Sequence, residues 1–428
     1  MKNYGIIKKT TRRIIQMKKV LIALTILAIS CLAYPAQADH YDISAKHAIA
    51  VELDSGKILY EKDADKTVSV ASLSKVLTAY LVYKEVQAGK LKWDSSVTIS
   101  NYPYKLTTNY TISNVPLDAR KYTVKELLKA LIVTNANSPA IALAEKIGGT
   151  EAKFVDKMIA QLKDWGITGA KVVNASGLPN HILGEHIYPG SSLDDDNQFS
   201  AADLALVTSH LLKEFPEVLK LSSQVQAEFN HQQIFSYNYM LKGMPNYRDG
   251  VDGLFVSYSE KGGSSFLATS VENNMRIITV VLNADHAQDN DTAVFTATNQ
   301  LLQYVLTHFK KVVVLEKGKP DQLKALPVLD SPQKKIQLVP KKKLTMIKAL
   351  DDKSKTTFQV SDTKNPLVAP IQKGQTLAKA TLNDHSLIGK GYLGQAPSVE
   401  LVAQKKVPKS FFLKVWWNHF VRYVNQYL

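Results

Sequence analysis

The chain has 428 residues, enough for two domains or one large domain with an appendage, and 45% of them are hydrophobic, an ordinary share for a packed core. The formal net charge of +15 is unevenly spread: 7 basic and no acidic residues over 1–38, 24 basic against 30 acidic over 39–309, and 22 basic against 8 acidic over 310–428. The single cysteine, Cys31, lies in the leading segment, so the exported chain has no disulfide, thiolate nucleophile or cysteine metal site.

That leading segment has the form of a targeting sequence. Lys18 and Lys19 precede the apolar run VLIALTILAISCLAY, which is short for a membrane span, and Ala36-Gln37-Ala38 forms a small-x-small cleavage pattern before Asp39. The reading is a signal peptide over 1–38, with Met17 as an alternative start and a retained membrane anchor as the competing interpretation. Ala28-Ile29-Ser30 is a poor lipidation box ahead of Cys31. Export argues against nucleic acid as a partner of the basic C-terminal third; an anionic membrane surface or wall polymer fits better.

The body reads as strands at both ends with helices between. HAIAVELDSGKILYEKD alternates about Asp54-Ser55-Gly56, a hairpin signal. VASLSKVLTAYLVYKEV has helical apolar spacing. KELLKALIVTNANSPAIALAEKIGG holds two helical runs broken around Asn135 to Pro139 and stopped at Gly148-Gly149. FSAADLALVTSHLLKEF is a helix capped by Ser200, with Asp203 in the third position. VDGLFVSYSEKGGSSF reads as strand, turn, strand, and SFLATSVENNMRIITVVLNA as a hairpin turning at Asn273-Asn274. A helix from about Thr292 to Lys310 closes this module, whose terminal strands are expected to pair.

From Val312 short β-rich pieces alternate with Lys, Pro and Gly, a small all-β module. The boundaries are placed at 39–310 for the first domain, 311–405 for the second and 408–428 for a terminal helix. In that helix Lys414, Asn418, Arg422 and Asn425 make one polar stripe. Phe412, Trp416, Trp417, Phe420 and Tyr423 head the rest, a pattern suited to lying in a membrane interface. The competing reading docks the helix on the protein's own body.

Ser72-Leu73-Ser74-Lys75 opens an apolar helix, and positions i and i+3 share a helix face. A serine hydroxyl is a weak nucleophile that needs a neighbouring base, and a lysine serves if burial lowers its pKa. Two other Ser-x-x-Lys matches, at Ser331 and Ser361, fall in the β module and are attributed to chance. Asn135-Ala136-Asn137 sits in the break between two helices. His181, Glu185 and His186 fit no helical zinc spacing, so no metal is called, and no cofactor is implied.

ASLSKVLTAYL, NANSPAIALAE, NASGLPN and VDGL with FLATSVENNMRIITVVLNA together resemble the D-alanyl-D-alanine carboxypeptidases, low-molecular-mass penicillin-binding proteins with Ser-x-x-Lys, Ser-x-Asn and Lys-Thr-Gly motifs. The resemblance implies an α/β (α+β) β-lactamase/transpeptidase-like domain with an antiparallel sheet, followed by a small β domain and an amphipathic C-terminal anchor. It implies that Ser72 attacks the penultimate D-alanine carbonyl of a peptidoglycan pentapeptide, that Lys75 takes the proton, and that Asn137 is the asparagine of Ser-x-Asn. It extends to β-lactams as ligands and to action outside the cytoplasm.

Two motifs depart from the family. Asn135 replaces the serine of Ser-x-Asn; an amide can accept a bond from Lys75 but cannot relay a proton. Phe255-Val256-Ser257 aligns with Lys-Thr-Gly, placing Phe255 where the family's lysine would meet the substrate carboxylate. Losing such a charge-assisted bond costs on the order of 1.5–3 kcal/mol. Lys261, in the following turn, is a candidate replacement for the charge, and the N–H of Tyr258 a candidate oxyanion donor. The expected function is a weakened serine carboxypeptidase. The alternatives are a catalytically inactive membrane-tethered binder of peptidoglycan or a wall enzyme, and an enzyme for substrates lacking the terminal carboxylate, with Phe255 lining an apolar subsite.

Overall fold

A computed structural model describes residues 41–427 apart from 321, 322, 324 and 363–366. The signal-peptide reading lies outside the described residues. Alternating apolar residues build a five-stranded antiparallel sheet from β1 (Ala45–Glu52), β2 (Ile58–Lys62), β3 (Val251–Ser259), β4 (Gly263–Glu272) and β5 (Met275–Ala284), in the order β2-β1-β5-β4-β3. The expected pairing of first and last strands is β1 against β5, with Ile49 opposite Val280 and Val51 opposite Ile278. Asn273 and Asn274, both at positive φ (48° and 62°), make the β4–β5 turn, a conformation asparagine tolerates better than most residues.

Both faces of this sheet are covered. Ile49, Val51, Leu267, Ile278 and Val280 point into a core shared with α1 (Lys75–Gln87), α2 (Val124–Val133), α3 (Asn137–Gly148), α4 (Glu151–Asp164) and α5 (Ala201–Glu214). Their neighbours Ala48, Ala50, Phe266, Ile277 and Val281 point the other way, against Val294, Phe295, Leu301 and Val305 of α6 (Ala293–His308). The Ser200 cap forms a full capping box: its Oγ accepts from Asp203 N at 3.0 Å and its N–H donates to Asp203 Oδ2 at 3.1 Å. Such a cap stabilises a helix by ~1 kcal/mol.

The β module follows α6 directly. β6 (Phe309–Leu315) and β7 (Leu338–Pro340) are followed by β8 (Leu344–Ala349), β9 (Thr357–Asp362), β10 (Thr376–Asn383) and β11 (Ser398–Ala403). β6 pairs with β8, and β7-β11-β10-β9 form a four-stranded sheet over Leu338, Leu377, Val399 and Leu401. The module is pinned to the β1–β2 hairpin by a buried ion pair. Lys57 Nζ donates to Asp384 Oδ2 at 2.7 Å and to Ile347 O at 2.9 Å, and Tyr392 OH donates to the same Asp384 oxygen at 2.6 Å.

The terminal helix, α7 (Phe412–Tyr427), has no buried residue. Phe412, Trp416, Trp417, Phe420 and Tyr423 are all exposed. Its attachment is polar: His419 Nε2 lies 2.8 Å from Asp330 Oδ2, and Arg422 Nη2 donates to Asp330 Oδ1 at 3.0 Å. Burial alone would raise the Asp330 carboxyl, but the bonds from His419 and Arg422 outweigh it and hold the group below its ordinary range. The polar stripe is therefore partly a docking face, and the aromatic residues remain uncovered. No helix among the described residues is long and apolar enough to cross a membrane.

Candidate active site

Ser72 lies in a 3-10 turn, Ala71–Ser74, that runs directly into α1. Ala71 sits at φ 45°, a strained value for a residue with a Cβ, and the turn is held by Ser74 Oγ donating to Ala71 O at 2.9 Å. One helical turn on, Lys75 is fully buried. Its Nζ has three neighbours: Ser72 Oγ at 2.8 Å, Asn137 Oδ1 at 2.7 Å and Ser176 O at 2.6 Å. None is a carboxylate, so no counter-charge offsets the loss of water, and burial holds the Lys75 ammonium well below its ordinary pKa.

In the uncharged form that burial favours, the three neighbours fix how the amine is used. It has two protons and one lone pair. Asn137 Nδ2 donates to Ser113 O at 2.8 Å, which turns Oδ1 toward Lys75 as a pure acceptor. Ser176 O is a second pure acceptor. These two take the protons, and the lone pair is left for the Ser72 hydroxyl. The arrangement can draw the proton off Ser72 Oγ.

Ser176 was not singled out from sequence, because its contribution is a carbonyl. The NASGLPN stretch places it. Asn174 Oδ1 accepts from Ser176 N at 3.2 Å and Gly177 N at 2.6 Å. Asn197 Nδ2 bridges Asn174 O and Ser74 Oγ, each at 2.9 Å. Gly177, at φ 79°, passes so close to the nucleophile turn that a Cβ there would lie 2.1 Å from Ala71 O. Behind this loop, Glu151 Oε1 accepts from Ala175 N at 2.8 Å and Oε2 from Tyr102 OH at 3.0 Å. Burial, opposed by those two bonds, pushes the Glu151 carboxyl up to about 7.

The facing wall differs from expectation. Phe255 is 1% exposed and belongs to the core beneath the helices. It does not line the cleft, so it forms no apolar subsite there. The cleft side of β3 is Val256, with Ser257 and Tyr258 beyond it. Asn135, at φ 56°, does not reach Lys75. Its Nδ2 donates to Val256 O at 2.7 Å, tying the α2–α3 loop to β3, and its Oδ1 is buried without a partner. Ser257 Oγ donates to Val70 O at 3.2 Å and ties β3 to the nucleophile turn. Lys261 lines the cleft, but its ammonium donates to Asp194 O. The cleft so formed encloses about 740 Å³ and is open to solvent at Ser72. Among the described residues no cluster of three His, Cys, Asp or Glu has metal-binding geometry.

Residues 34–286 match the family model of D-alanyl-D-alanine carboxypeptidase, peptidase S11, and residues 309–409 match that of the penicillin-binding protein 5 C-terminal domain. A crystal structure of a peptidoglycan synthesis regulatory factor, PBP3, from Streptococcus pneumoniae is 46% identical and superposes with a TM-score of 0.80, covering 86% of this chain and all of that one. The D-alanyl-D-alanine carboxypeptidase DacA of Escherichia coli K12 is 26% identical over 379 residues, 87% of this chain and 86% of its own. Penicillin-binding protein D2 from Listeria monocytogenes, solved in its ampicillin-bound form, is 28% identical with a TM-score of 0.51, covering 61% of this chain and 97% of that one. A serine on the cleft with a buried lysine at its back, at a helix start and facing an edge strand, thus coincides with a match over more than half the chain: the protein belongs to the D-alanyl-D-alanine carboxypeptidase family.

Proposed function

We propose that this chain is a serine-type D-Ala-D-Ala carboxypeptidase of weakened activity, which removes the terminal D-alanine of peptidoglycan stem peptides through a Ser72 acyl-enzyme outside the cytoplasm. The observation that carries the reading is the Lys75 amine, buried, without a counter-ion and 2.8 Å from Ser72 Oγ. Lys75 takes the Oγ proton as Oγ bonds to the penultimate D-alanine carbonyl carbon. The proton then passes to the leaving nitrogen as the C–N bond breaks. Water hydrolyses the ester, with Lys75 again accepting a proton. Asn137 fixes the direction of the amine, and backbone N–H groups, that of Tyr258 among them, bind the developing oxyanion, a contribution that needs no particular side chain.

The same acylation extends to β-lactams, which would leave a stable adduct on Ser72. The exposed aromatic face of α7 supports a second element of the reading, a helix resting in the membrane interface with Trp416, Trp417 and Tyr423 at headgroup depth. The deciding assay is D-alanine release from a pentapeptide ending in D-Ala-D-Ala, with Ser72→Ala as the control. Release that disappears in Ser72→Ala is the expected result. Equal, background release from both would replace the enzyme by a non-catalytic binder of the wall.

A further inference from the structure

The cleft beside Ser72 limits what the end of the substrate can be. Among the described residues that line it, Lys261 is the one lysine or arginine, and its ammonium is engaged with Asp194 O. His181 is the one other basic side chain on the lining. Against them stand the carboxylates of Glu260 and Asp291, with Asp196 deeper in the wall. Lys75 is fully buried behind Ser72 and is not on the lining.

Along Val256–Ser257, the stretch of β3 that follows Phe255, no side chain is left to donate to a ligand. Val256 offers no donor. Ser257 Oγ donates to Val70 O, and Asn135 Nδ2 donates to Val256 O. A carboxylate brought to this wall adds negative charge where acids already stand. A carboxamide brings N–H donors and no charge.

On the carboxypeptidase reading, we infer that the preferred substrate has an uncharged C-terminus: a D-alanyl-D-alanine peptide ending in a carboxamide rather than a carboxylate. The step is otherwise the same. The Ser72 Oγ–carbonyl bond forms, the C–N bond of the last peptide link breaks, and the Oγ proton leaves through Lys75 on the nitrogen of D-alaninamide. Water then releases the shortened peptide as its free acid.

The test uses the full chain and two N-acylated peptides identical but for a terminal carboxylate or carboxamide, with Ser72→Ala as the blank. The ratio of kcat/KM, amide over acid, is expected to be about tenfold or more, the size of one missing charge-assisted bond. A ratio of one or below overturns the inference and leaves the carboxypeptidase reading standing. Cleavage of neither peptide above the blank overturns that reading, and this inference with it. A second variant sharpens the result: Val256→Lys, checked for native circular dichroism, puts a cation on the cleft face and is expected to lower the ratio roughly tenfold. An unchanged ratio in a folded Val256→Lys protein counts against the inference.

Discussion

The two walls of the cleft are built on different plans. The Ser72 wall works through side chains whose every polar atom has a partner: Lys75 is held by Asn137 and Ser176, and these in turn by Ser113, Asn174 and Asn197. The β3 wall works through its backbone. Its ladder to β4 runs from Ser259 opposite Gly263 to Val251 opposite Ser270, and Phe255, Val256 and Ser257 sit in that ladder without disturbing it. A strand keeps its place through main-chain bonds, so its side chains can change while the frame survives. The difference suggests a division of labour, with bond-making chemistry on the helical wall and recognition of the substrate's end on the strand.

Removing the base is the largest expected break. Lys75→Met should lower kcat/KM about 10²–10⁴-fold, the usual worth of a positioned general base. The same change tests the charge state. A lysine whose folded pKa lies below its unfolded value leaves the unfolded chain with the extra proton between the two, so stability rises with pH across that window. Chemical denaturation of the wild type from pH 7 to 10 should show that rise, and Lys75→Met should flatten it. An unaltered slope would mean that Lys75 is charged in the fold and is not the base.

On the strand the contrast is one of stability. Phe255, packed in the main core, should cost about 3–5 kcal/mol when cut to Ala. Val256→Ala, on the half-open cleft side, should cost roughly 1 kcal/mol or less. Urea midpoints for the two variants measure this directly. Equal losses would put Phe255 back on the cleft and restore it as a substrate contact.

That assignment was not legible in the sequence, for a physical reason. Alternation tells the two faces of a strand apart only when one face is wet. Here neither face is fully wet: Leu254 and Phe255 are buried and Val256 is half-buried, so three apolar residues follow in succession. The helices were clearer, because Ser200, Asp203 and Gly149 mark their ends with side-chain caps or a left-handed residue. Ser72, Lys75 and Asn137 are legible because the motifs that carry the family resemblance are written in side chains, and the fold brings all three within hydrogen-bond reach. Ser176 contributes a carbonyl, and Glu151 acts one layer behind it; neither leaves a pattern in the order of residues. Asn135, in the serine position of Ser-x-Asn, is of a type that can accept from Lys75, but its backbone, at φ 56°, turns the amide to β3.

The smallest effect expected on the chemistry comes from the other end of the chain. α7 is attached through Asp330 alone among the described side-chain bonds, and it contributes nothing to the cleft lining. Deleting residues 408–428 should therefore leave kcat/KM on a soluble peptide within about twofold, well inside the ~0.5 kcal/mol of an ordinary surface change. The same deletion should move the protein from the membrane to the soluble fraction. The aromatic face it removes is the only continuous run of exposed large apolar side chains among the described residues. Retention on membranes after the deletion would shift the attachment to the basic β module, where charge alone would hold it and raised salt would release it. Loss of activity with the helix would instead tie the two walls of the cleft to the anchor, and end the separation of chemistry from attachment on which the comparison rests.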